Sequence, residues 1–245
     1  MQINAFPHSK TWSTRTFYAS LLRSFVPEII DEGKNVLKNI SREAIKNASV
    51  SQLKTICEEC RKEIFETVSR VGGHLSSNLG TVELTVALHH VFDFPNDKIV
   101  FDVGHQCYTH KLLTGRAEQF RTLRQEGGIS GFPKREESEF DCYDTGHAGT
   151  AISAALGIAK ARDLKGENFQ VIALVGDGSF NNGLIYEALN SVKILNSRVL
   201  IILNDNGMSI SPTVGGAHEI LDELKAETVP HDGVRLFEQF GPEYM

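Results

Sequence analysis

Three short apolar runs constrain the fold of this chain more than any other feature. They cover residues 99–103, 171–175 and 199–203, and each is rich in β-branched residues or leucine and too short for a helix. Such runs are typical of strands that are buried on both faces of a sheet. Helical patterns lie at about 150–163 and 183–195. This alternation predicts an α/β fold, a parallel sheet with helices on both faces.

The residues before the first run have a different period. Apolar side chains recur every three or four positions over 51–71, which predicts one face of an amphipathic helix, and a second helix is predicted over 81–91. The segment Gly72-Gly73-His74 separates the two patterns. Cys57 and Cys60 form a C-x-x-C pair inside the first helix. We expect them to pack in the core, because no second pair at zinc-like spacing accompanies them.

Length and charge limit the classes of function. A chain of 245 residues can bury one large core, and its net charge of −6 argues against a nucleic-acid or anionic-membrane surface. No apolar run has the length needed to cross a bilayer. Four scattered cysteines favour a reducing compartment over a disulfide framework. The cytoplasm is therefore the expected location.

The first 34 residues are expected to form an N-terminal extension to a domain that covers residues 35–215. Residues 1–27 contain no Asp or Glu but have Lys10, Arg15 and Arg23 with seven Ser or Thr residues. This composition is typical of an organellar transit peptide, which would direct the protein to the plastid stroma. The alternatives are a disordered or weakly packed extension, or an upstream start codon without function.

Polar residues lie at the end of each apolar run or directly after it. The three segments are Asp102-Val103-Gly104-His105-Gln106, Gly176-Asp177-Gly178-Ser179 and Asn204-Asp205-Asn206-Gly207-Met208. Because ligands of parallel α/β sheets bind at the carboxyl ends of the strands, we expect these segments to meet at one edge. Asp177 can give Mg²⁺ a charged oxygen and Asn206 a neutral one. Gly176, Gly178 and the N–H groups of the next helix suit a phosphate.

The spacing of two of these segments makes the prediction more specific. Asn206 follows Asp177 by 29 positions, enough for one helix and one strand that return to the same edge. This pairing resembles the signature of thiamine diphosphate enzymes. From about residue 37 to 215 the chain resembles the 1-deoxy-D-xylulose-5-phosphate synthase family, whose fold is transketolase-like. The matching segments are 73–85, 102–106, 110–116, 131–135, 138–141, 146–147, and 204–206 with 208–211.

The resemblance implies a role for ten residues. Asp177, Asn206 and the backbone carbonyl of Met208 would bind Mg²⁺. The cofactor thiamine diphosphate would lie against Gly178, Ser179 and Asn206, and against His105 and the turn Gly146-His147-Ala148. His74 would face the substrate and, with His105, would help to transfer protons. Imidazole suits this role because its ordinary pKa lies near physiological pH.

The resemblance also implies a reaction and partners. Pyruvate would be decarboxylated and its acetyl unit added to glyceraldehyde 3-phosphate, giving a precursor of isoprenoids and of thiamine. The family site lies between domains, so we expect a homodimer or a complementary pyrimidine-binding domain. Two alternatives remain open. The chain could be the N-terminal subunit of a split transketolase, or a non-catalytic cofactor-binding fragment.

The chain departs from the family pattern in several places. Gly178 is followed by Ser179-Phe180-Asn181-Asn182-Gly183, where the family more often has small residues with Thr. Thr109 replaces an expected Pro, and Ala148-Gly149-Thr150 replaces Ser-Ser-Thr. These departures leave the metal ligands intact.

The C-terminal residues contain the largest departure. The family's second α/β domain holds the cofactor's aminopyrimidine with a Glu, and no segment of this chain resembles that domain. Residues 234–240 resemble a family segment that follows a long connection, which is shortened here to about 216–233. The sequence therefore predicts a fragment, a shortened product or one subunit of a split enzyme, inactive alone.

Overall fold

The chain divides into two compact units. The computed structural model describes residues 2–4, 36–206, 214–226, 240–241 and 243–244. The sheet unit comprises the described residues of Met1–Thr14, Asn96–Val103 and Thr145–Met245, and the helical unit those of Arg15–Pro95 and Gly104–Asp144. Apart from Gln2–Asn4, the predicted N-terminal extension lies outside the described residues. The domain boundaries at 35 and 215 stay predictions.

Five strands form the sheet of the sheet unit. The three predicted strands are confirmed as β2 (Lys98–Phe101), β3 (Val171–Gly176) and β4 (Leu200–Asn204), and neighbours among them pair in parallel. β1 (Gln2–Asn4) and β5 (Glu243–Tyr244) add an antiparallel edge, in the order β2-β3-β4-β1-β5. These two strands have no counterpart in the sequence prediction, because they are too short to show an apolar pattern.

The middle strand of the three parallel strands, β3, is covered on both of its faces. Every residue of Val171–Val175 is at most 1% exposed. Because successive side chains in a strand point to opposite faces, both faces of β3 are buried. The helix Ala151–Lys165 packs against β2 and β3 and against the helix Gly183–Leu195. The predicted α/β class is therefore confirmed, with both predicted helices in place.

Buried polar groups hold the segments that lead into the strands. Arg162 is 3% exposed, and its Nη1 donates to the carbonyls of Phe169 (2.9 Å) and Arg198 (3.0 Å). The carboxylate of Asp97 accepts the backbone N–H of Gln170 at 2.7 Å. These contacts fix where β2, β3 and β4 begin, and so fix where their carboxyl ends meet.

The helical unit is built from short helices around one long one. The long helix, Val50–Val71, begins with a capping box of Ser49 and Gln52, which satisfies two backbone N–H groups. The predictions over 51–71 and 81–91 are confirmed. The remaining elements are the helices Arg42–Lys46, Leu75–Leu79, Val82–Val91 and Tyr108–Lys111, a wide turn at Leu112–Arg116, and single turns at Val36–Asn39 and Phe120–Thr122. None of the described helices is both long and apolar enough to cross a membrane.

The C-x-x-C pair packs in the core of the helical unit, as predicted. Cys57 and Cys60 are free thiols, 4% and 0% exposed. Burial raises the pKa of Cys57 to about 12, with a further contribution from the Glu83 carboxylate. Both thiols are therefore protonated at neutral pH, and unreactive.

Candidate cofactor-binding and active site

The carboxyl ends of β3 and β4 lie side by side, as the spacing predicts. Gly176 pairs in register with Asn204, so Asp177 and Asn206 follow adjacent strand ends. The carboxylate-bearing Asp177 is 5% exposed, and Asn206 is exposed. Asp177 begins one helical turn, Asp177–Phe180, which contains Gly178 and Ser179, and the longer helix begins at Gly183. Met208 lies outside the described residues.

The groups at this edge fit a Mg²⁺-bound diphosphate. Asp177 and Asn206 are the oxygen donors that Mg²⁺ prefers. A Cβ added at Gly176 or Gly146 would meet nothing within 4 Å, so there is open space beside both backbones. The described residues include no group of three or more His, Cys, Asp or Glu able to hold a metal. The predicted ligand set needs no such group, because Mg²⁺ also takes neutral oxygens, phosphate and water.

Asp102 holds the turn that carries His147. The carboxylate follows β2, is 1% exposed, and accepts the N–H of Gly149 at 2.8 Å and that of Ala151 at 3.0 Å. Ala151 is the first residue of its helix, where a negative charge also meets the positive end of the helix dipole. The side chain of Asp102 is thus hydrogen-bonded to two residues that follow the predicted cofactor-binding turn Gly146-His147-Ala148.

The hydrogen bonds of His147 determine its tautomer. Its Nδ1 lies 2.9 Å from the carbonyl of Ala148, and the hydroxyl of Thr150 donates to the carbonyl of His147 at 3.0 Å. Because a carbonyl can only accept, Nδ1 carries the proton. In its neutral form the exposed imidazole therefore offers the Nε2 lone pair to a ligand.

Two departures from the family pattern touch each other. Gly149 has φ +84°, and a Cβ added there would lie 2.9 Å from Cγ of Asn182. The Asn182 side chain accepts the N–H of Leu184 and caps the helix Gly183–Leu195. The space that a side chain at position 149 would fill is occupied by Asn182. The absence of a side chain at position 149 and the presence of the Asn182 side chain are therefore sterically coupled.

We expect Gly149→Ser to lower the free energy of unfolding by about 1–3 kcal/mol, because the new side chain meets Asn182 and the backbone is left-handed. Adding Asn182→Gly should recover part of this loss, since glycine at the N-cap costs only a few tenths of a kcal/mol. The coupling between the two positions is measured by urea unfolding of the wild type, the two single variants and the double variant. The coupling energy should exceed about 0.5 kcal/mol.

Gly146→Ser is the matched control for this cycle. Its added side chain meets open space, so its effect should stay within about 0.5 kcal/mol. Additive effects of Gly149→Ser and Asn182→Gly would show that the two departures are independent.

The two predicted catalytic histidines lie close together in the helical unit. The ring centroids of His74 and His105 are 5.2 Å apart at 65°, and Phe132 lies 6.2 Å from His74. His105 follows Val103, whose φ of 58° lies in the left-handed region that β-branched residues rarely adopt. Such strain costs about 1–3 kcal/mol and is concentrated at functional sites.

The surroundings of His74 keep its ring neutral. Burial lowers its pKa below the ordinary histidine value, and the positive charge of Arg124 lowers it further. Its Nδ1 is buried and has no hydrogen-bond partner among the described residues. A neutral imidazole at physiological pH can accept a proton, which is what the predicted role requires.

A buried charge network in the helical unit was not foreseen from the sequence. Arg116 donates to both oxygens of Asp141, at 2.6 and 2.9 Å, and His110 Nε2 lies 3.0 Å from the same carboxylate. His110 Nδ1 in turn lies 3.0 Å from His89 Nε2. All four side chains are at most 5% exposed. Because the carboxylate can only accept, His110 carries its proton on Nε2 and His89 donates to Nδ1.

The same network fixes the loop between residues 130 and 141. Asp141 also accepts the backbone N–H of Lys134 at 2.8 Å. Glu137 accepts the N–H of Ser130 at 2.6 Å and binds the fully buried Lys111 at 2.5 Å. These carboxylates tie a polar loop to buried cations. The segments 110–116, 131–135 and 138–141, noted for their resemblance, are thus parts of one hydrogen-bonded network.

The structure assembles the predicted site residues in two groups. The sheet unit carries Asp177, Gly178, Ser179, Asn206 and the turn 146–148, and the helical unit carries His74 and His105. Sequence reasoning missed Asp102 and Asn182 as supporting residues. The position of Asp102 directly after a predicted strand could have indicated its supporting role. The position of Asn182 at the start of a predicted helix could have indicated that it caps this helix.

Comparison with solved structures places the fold in the transketolase-like class of α/β folds. The transketolase of Campylobacter jejuni superposes with a TM-score of 0.63 at 22% identity, over 79% of this chain and 33% of that one. A transketolase mutant of Pichia stipitis superposes with a TM-score of 0.61 at 21% identity, over 79% of this chain and 31% of that one. At these identities the likeness shows the fold alone.

The sequence identifies the family within that class. The family model described as 1-deoxy-D-xylulose-5-phosphate synthase matches residues 37–240, and the chain belongs to this family. The enzyme of that name from Dictyoglomus thermophilum is 56% identical over 195 residues, which is 80% of this chain and 31% of the relative. That from Alkaliphilus oremlandii is 51% identical over 196 residues, again 80% and 31%. The chain thus spans about a third of the length of these relatives.

Proposed function

We propose that this chain binds thiamine diphosphate through Mg²⁺ and contributes the diphosphate-binding part of a 1-deoxy-D-xylulose-5-phosphate synthase. One observation carries the proposal: the register Gly176 to Asn204 puts Asp177 and Asn206 at adjacent strand ends, within a chain that belongs to this family. The substrates in this proposal are pyruvate and glyceraldehyde 3-phosphate, and the products are 1-deoxy-D-xylulose 5-phosphate and CO₂.

The residues of the chain have distinct tasks in this proposal. Asp177, Asn206 and the Met208 carbonyl hold Mg²⁺, and the backbones of Gly178 and Ser179 donate to the diphosphate. The turn of Gly146, His147 and Ala148 lines the cofactor. Thiamine diphosphate supplies, when bound, the electron sink for decarboxylation and carbon–carbon bond formation.

His74 and His105 transfer protons in the same proposal. The neutral ring of His74 accepts and returns a proton at the substrate, and His105 supports it from 5.2 Å away. Phe132 packs beside His74 and reduces the access of water to the ring. A base in a drier environment interacts more strongly with developing charge.

We expect Asp177→Ala to abolish the Mg²⁺-dependent part of thiamine diphosphate binding, because the diphosphate then loses its bridging cation. Calorimetric titration with and without EDTA measures this part directly. Glu187→Ala removes an exposed carboxylate of the same unit and should leave the affinity unchanged. An unchanged affinity of Asp177→Ala would contradict the proposed metal site.

Turnover is proposed to need a complementary pyrimidine-binding domain, covalently joined or supplied as a second chain, with a homodimer as the expected assembly. About two thirds of each relative's length has no counterpart among these residues. Assays with and without such a domain test this part. Transfer from a ketose phosphate instead of pyruvate would identify a split transketolase. The proposed compartment is the cytoplasm, or the plastid stroma if residues 1–27 act as a transit peptide.

A further inference from the structure

We infer that Asn78 is a positioning residue that sets the two catalytic histidines of the proposed function against each other. The inference rests on that function only for the role of the histidines. The fixing of His74 and His105 by Asn78 concerns the helical unit alone and can be tested without substrate.

The side chain of Asn78 bridges the backbones of both histidines. It is 0% exposed, and its Nδ2 donates to the carbonyl of His74 at 2.6 Å and to that of His105 at 2.8 Å. Its Oδ1 accepts the backbone N–H of Tyr108 at 2.9 Å. A carboxamide has two N–H hydrogens and one carbonyl oxygen. Each of these is engaged here.

No other side chain of this size offers the same set. Aspartate has the acceptor but no donors when ionised, and serine has one donor and a shorter reach. The three partners come from two loops that are distant in sequence. One amide therefore fixes the distance between the loop that carries His74 and the loop that carries His105.

The backbone of His74 also has a second contact, with the side chain of Tyr108. The backbone N–H of His74 donates to the hydroxyl of Tyr108 at 3.3 Å. A Cβ at Gly73 would lie 2.8 Å from this hydroxyl, so the approach needs glycine. This bond is longer than the two made by the Asn78 amide. Asn78 is thus expected to be the dominant anchor, and Tyr108 a weaker one.

The anchoring determines the environment of the His74 ring. With both backbones fixed, the His74 ring lies against His105 and against Phe132, at centroid distances of 5.2 and 6.2 Å. Loss of the Asn78 bridge would let the two loops separate and water reach the ring. The pKa of His74, which burial lowers, would then rise toward its ordinary value of about 6.5.

The test is an NMR titration of the histidine rings in the full chain, for wild type, Asn78→Ser and Asn78→Asp. We expect the pKa of His74 to rise in both variants and the ring signals of His74 and His105 to shift. His147 lies in the other unit and serves as the internal reference. Ile64→Ala truncates a fully buried core residue of the same unit, and should lower stability while His74 titrates as in wild type.

Two outcomes would overturn the inference. The first is a pKa of His74 in Asn78→Ser that equals the wild-type value. Where the Asn78 variants do not fold, Tyr108→Phe decides, because it removes the other anchor and keeps Asn78. His74 should then titrate as in wild type, and a release of His74 by Tyr108→Phe alone overturns the inference.

Kinetics separate this inference from the proposed function. With the complementary domain present, Asn78→Ser should lower kcat, with KM for pyruvate and calorimetric cofactor affinity nearly unchanged, since the diphosphate ligands lie in the sheet unit. A shifted His74 titration with unchanged kcat would leave Asn78 as the positioning residue and refute the proton-transfer role of the histidines.

Discussion

Asp141→Asn is expected to lower the free energy of unfolding by about 3–5 kcal/mol, because it leaves the buried guanidinium of Arg116 without its main counter-charge. Arg116 is 3% exposed and makes two hydrogen bonds to the Asp141 carboxylate. An asparagine can accept from one partner but presents N–H groups to the others. The fixed position of Lys134 depends on the same carboxylate, so we also expect the 130–141 loop to loosen.

The pH dependence of this loss follows from the pKa of Asp141. Burial alone would raise that pKa, but the hydrogen bonds from His110 and Arg116 outweigh burial and hold it well below the usual range. A carboxyl with a lowered folded-state pKa stabilises the fold above its unfolded pKa, and this contribution is lost as the pH falls through the folded pKa. The difference between wild type and variant should therefore be constant at neutral pH and shrink below about pH 4.

Urea unfolding at neutral pH, at about pH 5 and at about pH 3.5 measures this difference. Asp144→Asn is the matched control from the same region. Its ion pair with Arg135 is exposed, with side chains 36% and 67% accessible, so its loss should cost less than about 1 kcal/mol. Equal losses in the two variants would show that the burial of the network contributes nothing.

The buried histidines add a second acid-sensitive step. Burial lowers the pKa of both His89 and His110, and the positive charge of His110 would lower that of His89 further. A histidine that is harder to protonate in the fold stabilises it above its unfolded pKa of about 6.5, and this contribution is lost as the pH falls below that value. Wild-type stability should thus begin to fall near pH 6.5, before Asp141 titrates.

The strands and main helices could be predicted because their patterns are local. The run 171–175 is apolar at every position, and the observed strand is Val171–Gly176. The helix predicted over 183–195 was found at Gly183–Leu195. Burial of a strand on both faces, or of one face of a helix, requires apolar residues at fixed intervals, and such intervals can be read from the sequence.

The contacts that support the site could not be predicted in this way. Asp102 accepts hydrogen bonds from Gly149 and Ala151, and Asn78 bridges His74 and His105. Asp102 lies 47 and 49 positions from its two partners, and Asn78 joins a neighbour four positions away to a residue 27 positions away. A single polar residue leaves no periodic pattern that would predict such contacts. Spacing predicted which strand ends would meet, because parallel pairing follows from topology. It gave no information on which buried polar group would hold the turns between them.

Asp102→Asn is expected to weaken the Mg²⁺-dependent binding of thiamine diphosphate on the order of tenfold or more, although residue 102 is not a proposed ligand. An asparagine at this site would turn an N–H group toward either Gly149 or Ala151. The turn of His147 would then lose a charge-assisted hydrogen bond, and supporting residues of this kind commonly change affinity by about 10- to 100-fold. The free energy of unfolding should also fall, by about 1.5–3 kcal/mol.

Asp97→Asn separates the effect on binding from the effect on stability. Asp97 is also a buried carboxylate of the sheet unit, 8% exposed, and it accepts the N–H of Gln170 at 2.7 Å. It lies at the opposite end of β2, where the strand begins. We expect this variant to lose stability while its cofactor affinity, measured by calorimetry well below the unfolding temperature, stays that of wild type. If both variants lose affinity in proportion to stability, Asp102 acts through general destabilisation. If Asp102→Asn alone loses affinity, Asp102 holds the cofactor-binding turn in its binding conformation.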